Sequence, residues 1–91
     1  MKILYEFYWD CGRMGSLDGL FIAEEKDIKA AIGKQIYFGE VLGKHSDIYG
    51  ILNEDDLTLK SDDQEFIMRV EETIGKGTIS GFNPLDYWEE E

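Results

Sequence analysis

The stretch from Lys2 to Asp10, KILYEFYWD, constrains the fold more than any other part of the chain. Ile3, Tyr5, Phe7 and Trp9 alternate with Leu4, Glu6, Tyr8 and Asp10. That is a period of two, which places one wholly apolar row on one face of a β-strand. A strand with such a face must cover it, so everything that follows has to supply a second layer.

The next residues supply the partner. Cys11-Gly-Arg-Met-Gly15 is a glycine-bearing turn and Leu17 to Ala23 is a second apolar stretch, which together predict an antiparallel hairpin. Glu24 to Ile32 begins with acids, carries Ile28, Ala31 and Ile32 at helical spacing and meets Gly33, so a short helix is expected. Lys34 to Leu42 and Asp47 to Asn53 read as two more strands around the five-residue connection Gly43-Lys-His-Ser-Asp47. Leu57 to Lys60 reads as a fifth.

Ser61-Asp-Asp-Gln64 matches a capping box and opens a second helix. Phe66, Ile67, Val70 and Ile74 share one face of it, and Gly75 ends it. Thr78 to Ser80 is a candidate edge strand before the Asn83-Pro84 turn. The expected fold class is therefore α+β, in the order ββαβββα: a small mixed or mainly antiparallel sheet of about five strands, with two helices on one face. At 91 residues, without internal repeat or linker, residues 1–91 read as a single domain with a short acidic tail.

Charge narrows the function classes. Twenty acids against nine bases give a net charge of −11. Residues 1–45 hold 7 acids and 6 bases, whereas residues 46–91 hold 13 and 3, so nearly all of the excess lies in the second half. Such a field repels nucleic acid and anionic lipid and favours a protein partner with a basic surface. No stretch reaches the roughly 18 apolar residues of a membrane span. The early apolar run is interrupted by Glu6 and lacks a cleavage site for a signal peptide. A single cysteine, with no zinc-type spacing, suits a reducing interior, so a cytoplasmic protein without cofactor or metal is expected.

The candidate sites follow from these patterns. Glu54, Asp55, Asp56, Asp62, Glu65 and Glu72 are the expected partner-binding residues. Along the second helix, Asp62, Asp63, Glu65, Glu71 and Glu72 span about 15 Å, or about one charge per 3 Å. A DNA strand offers roughly one per 3.4 Å. This suggests a nucleic-acid mimic that occupies the basic surface of a nucleic-acid-processing or defence enzyme, as an inhibitor from a phage or mobile element would. Tyr8, Tyr37, Met68, Tyr87 and Trp88 are candidate apolar anchors for such a contact. A homo-oligomer through a sheet edge is open to the same chain.

The alternative is a small anionic ligand or nucleotide held by Arg13, Lys44 and His45 in the two glycine-bearing loops. Neither loop matches a phosphate-binding signature. A catalytic version would use His45 as base, with Cys11 as nucleophile or Asp47 as orienting acid. The turn-forming preferences of Ser and Asp account for that stretch without chemistry, and no catalytic residue is assigned. Acids at the start of a helix likewise have a reason in the helix dipole rather than in metal binding.

Overall fold

The computed structural model describes residues 1–44 and 47–88. His45, and with it one member of the alternative ligand site, lies outside the described residues, as do the last three glutamates.

The first strand, β1 (Lys2–Asp10), and the second, β2 (Ser16–Glu24), form the predicted hairpin, in register from Lys2 opposite Glu24 to Asp10 opposite Ser16. A 3-10 turn over Gly12–Met14 joins them. Helix α1 (Glu25–Ala31) follows directly, then β3 (Gln35–Gly39), β4 (Ile48–Ile51), a second 3-10 turn at Glu54–Asp56, β5 (Leu57–Ser61), helix α2 (Gln64–Thr73) and β6 (Thr78–Gly81). The fold is α+β. Among the described residues the six strands form two sheets: an antiparallel four-stranded sheet in the order β5-β1-β2-β6, and a separate β3-β4 hairpin.

Two expectations are corrected here. The strands do not form one sheet, because the β3-β4 hairpin is used as a cover. Ile36, Phe38 and Ile48 are inward and buried together with Ile3, Tyr5, Phe7, Leu17 and Phe21, so the hairpin lies against the apolar row of β1. Phe38 packs edge-on against Trp9 and Phe82, with centroids 5.3 and 5.6 Å away. The helices do not share a face either. Ile28 and Ala31 of α1 join this main core, whereas Ile67 of α2 packs with Leu4 and Ile22. Leu4 points opposite to Ile3 and Tyr5, so α2 covers the other side of the sheet. Both faces of β1 carried apolar residues in the sequence, and each requires its own cover.

The capping of α2 also differs from the predicted box. Asp63, not Ser61, is the N-cap, and its carboxylate accepts from the backbone N–H of Glu65 and Phe66 at 3.1 and 3.3 Å. Ser61 Oγ accepts from Asp63 N at 3.2 Å. Gln64 reaches the start of the neighbouring strand β1 and donates to the carbonyl of Lys2 at 2.6 Å. Lys2 in turn pairs with Glu71 at 3.0 Å, so the polar margins of α2 hold it in place on both sides of Ile67. Phe66 and Ile74, expected on the buried face, are instead largely exposed. No described helix is long and apolar enough to cross a membrane.

Candidate functional site

A cleft of about 520 Å³ opens between the C-terminal end of β1 and β4. One wall is the consecutive run Tyr8, Trp9, Asp10 and Cys11, with Met14 from the following turn. The other wall is the run Asp47 to Ile51, and Asn53, Asp55 and Asp56 close one end.

Trp9 organises this site. Its indole extends from the apolar row of β1 to pack on Phe7 and Phe38, with ring centroids 5.3 Å from each. Gly50 is where β4 crosses it. A Cβ built on Gly50 would lie 3.5 Å from Trp9 Cη2, ordinary van der Waals contact, so the indole packs directly against β4 at this residue. The indole Nε1–H donates to Asp56 Oδ2 at 2.7 Å, and the same oxygen accepts from Asn53 N at 2.9 Å. Asp56 therefore spans the β4–β5 connection and the end of β1. Asp10 has a comparable local task, accepting from Gly12 N at 2.9 Å.

The rim is different. Asp47 and Asp55 are exposed and make no hydrogen bond or ion pair among the described residues. Tyr8 and Tyr49 are 53% and 62% exposed, and Tyr49 stacks on Tyr37 at 6.4 Å on the outer face of the hairpin. Neither lysine nor arginine lines the cleft among the described residues. Four carboxylates and exposed aromatic rings thus line the cleft with no lysine or arginine among the described residues, an arrangement whose electrostatics favour positive charge.

The acids expected to bind a partner do not form one continuous strip. Glu54, Asp55 and Asp56 precede β5 whereas Asp62 follows it, and five residues of strand separate the two groups by about 16 Å. Asp55 and Asp56 belong to the cleft. Glu65 pairs with Arg69 at 2.7 Å on α2. Glu72 is exposed beside Lys76 in a second groove, of about 550 Å³, that also includes Met68 and Glu71. Tyr87 and Trp88 are packed against the main core, so of the candidate anchors they are the least available.

The first glycine-bearing loop lies beside the residue that leads into the second: a Cβ on Gly15 would lie 3.9 Å from Leu42 Cδ2. Among the described residues they bring Cys11, Met14 and Asp47 to the cleft, while Arg13 and Lys44 are exposed and do not line it. Burial, and then the charge of Asp10, push the Cys11 thiol above its ordinary pKa, which opposes the thiolate that a nucleophile needs. Among the described residues no group of three acids, histidines or cysteines is arranged to hold a metal ion. Sequence reasoning missed Trp9, Gly50 and Tyr49. The one available signal was a glycine inside the otherwise apolar strand segment IYGI, a position that often borders another element.

No protein-family model matches the chain, and no curated protein or solved structure matches it.

Proposed function

We propose that the protein is a small acidic protein-binding module whose partner presents a basic surface. One observation carries this reading: a cleft of about 520 Å³ whose described lining holds Asp10, Asp47, Asp55 and Asp56, exposed tyrosines and no lysine or arginine. The volume is within the range of ordinary ligand pockets. Its charge selects a cationic occupant, in keeping with the net charge of −11. The same charge weighs against nucleic acid as the direct ligand. A nucleic-acid-processing or defence enzyme has a basic groove of the required sign, and an inhibitor from a phage or mobile element is the role that fits such a pairing. The exposed acids Asp62, just before α2, and Glu72 within it extend the negative field beyond the cleft, with Glu65 paired to Arg69, and favour rapid encounter more than tight contact.

The test is affinity capture from nuclease-treated lysate at matched salt. Wild type is compared with the rim reversal Asp47→Lys/Asp55→Lys and with the helix reversal Asp62→Lys/Glu65→Lys/Glu72→Lys. A basic protein retained by wild type, lost from the rim variant and weakened by added salt is the expected result. Retention of the same proteins by all three would refute the reading.

A further inference from the structure

Resting on that reading, we propose how the partner is held: an extended basic segment enters the cleft and adds as a strand to the open edge of β4. The lining itself points to an edge. Asp47, Ile48, Tyr49, Gly50 and Ile51 are consecutive and all line the cleft, although Ile48 is buried inward and Tyr49 and Ile51 face outward. Consecutive residues of one strand, whose side chains alternate between its two faces, border the same space where that space runs along the strand's edge. Among the described residues β4 pairs with β3 alone, so this edge offers backbone donors and acceptors to an added strand.

The opposite wall is a strand edge as well. The β1–β5 ladder ends at Phe7 opposite Leu57, and Tyr8 to Cys11 continue past it. The Trp9–Asp56 hydrogen bond holds that wall in place at 2.7 Å. Exposed edges are commonly protected by lysine, proline or a covering element. Ile48–Ile51, reading IYGI, contains neither lysine nor proline.

Charge complementarity chooses the occupant. Asp47 precedes β4 and Asp55 follows it, so a carboxylate without a described partner stands near each end of the edge. Four residues of strand measure about 13 Å, which a short extended peptide with a basic residue at each end would match. Tyr8 and Tyr49 offer ring faces to the same cations. A second copy of this chain is the less suitable occupant, because it would bring the same carboxylates against one another. Strand addition takes affinity from backbone pairing and selectivity from the flanking side chains.

The experiment uses the full-length protein labelled with ¹⁵N and titrated with acetyl-Arg-Thr-Val-Thr-Val-Arg-amide. Two further versions of the peptide are N-methylated at alternate residues, one version for each edge. Expected are saturable amide shifts centred on residues 47–51, at least tenfold weaker binding for one methylated version, and near-parent binding for the other. The Asp47→Lys/Asp55→Lys variant should lose at least tenfold in affinity with an unchanged circular dichroism spectrum. Equal binding of both methylated peptides, or shifts confined to α2, would overturn strand addition while leaving a basic partner standing. Failure of the parent peptide to bind overturns it too, with the lysate capture deciding the broader reading separately. Shifts at residues 48–51 that grow with protein concentration alone would instead identify a second copy as the occupant, against the proposal.

Discussion

Replacing Trp9 by Phe tests whether the indole is what fixes the cleft. The substitution removes the Nε1–H bond to Asp56, made at 2.7 Å to a charged acceptor. A hydrogen bond to a charged group contributes about 1.5–3 kcal/mol net, and partial exposure of this one favours the lower half of that range. The six-membered ring that lies 3.5 to 3.9 Å from the Gly50 Cβ position is also shortened, and the gap over β4 adds roughly 1 kcal/mol. The expected loss is about 2.5–3.3 kcal/mol, a Tm decrease on the order of 10–25 °C for a domain of this size. Asp56→Asn keeps an acceptor but not the charge, and should cost less. Urea unfolding followed by circular dichroism, on wild type, each single variant and the double variant, gives the coupling energy directly. About 1 kcal/mol or more of coupling is expected. Additive effects, or a Trp9→Phe loss below about 0.5 kcal/mol, would show that Trp9 and Asp56 do not act together.

Two further outcomes test other parts of the structure. In Gly19→Ala the new Cβ would sit 1.8 Å from the carbonyl oxygen of Phe82 and 2.7 Å from its carbon, both backbone atoms that no side-chain rotation can move aside. A loss of about 3 kcal/mol, with faster hydrogen exchange at Thr78–Gly81, is expected, and a loss under about 1 kcal/mol would contradict this close packing of β2 on β6. Alkylation of Cys11 by iodoacetamide should rise with pH to a midpoint above that of free cysteine measured alongside, because burial and Asp10 both disfavour the thiolate. A midpoint at or below that of free cysteine would return Cys11 to the list of candidate nucleophiles.

The hairpin of β1 and β2, both helices and the turn at Asn53–Asp56 were legible in sequence because each depends on local spacing: alternation along KILYEFYWD, helical recurrence from Phe66 to Ile74, and glycine at the stops. The acidic balance was equally plain, since charge is a sum over residues and needs no coordinates. Which apolar face met which was not local. Leu4 and Tyr5 are neighbours in sequence, yet one packs under α2 and the other under α1 and the β3-β4 hairpin. Two strands that each alternate can pair in one sheet or stack face to face, and their periodicity is the same in both cases. The site had the same limit. Asp55 and Asp56 were recognisable as exposed turn acids. Their convergence with Asp47, Tyr8 and Trp9 depends on β4 crossing the indole at Gly50. By itself the sequence determined the elements and the sign of the surface field, because both arise from residues near one another or simply counted. The tertiary structure alone decided which carboxylates and rings share a cleft, because that requires packing contacts between segments some forty residues apart.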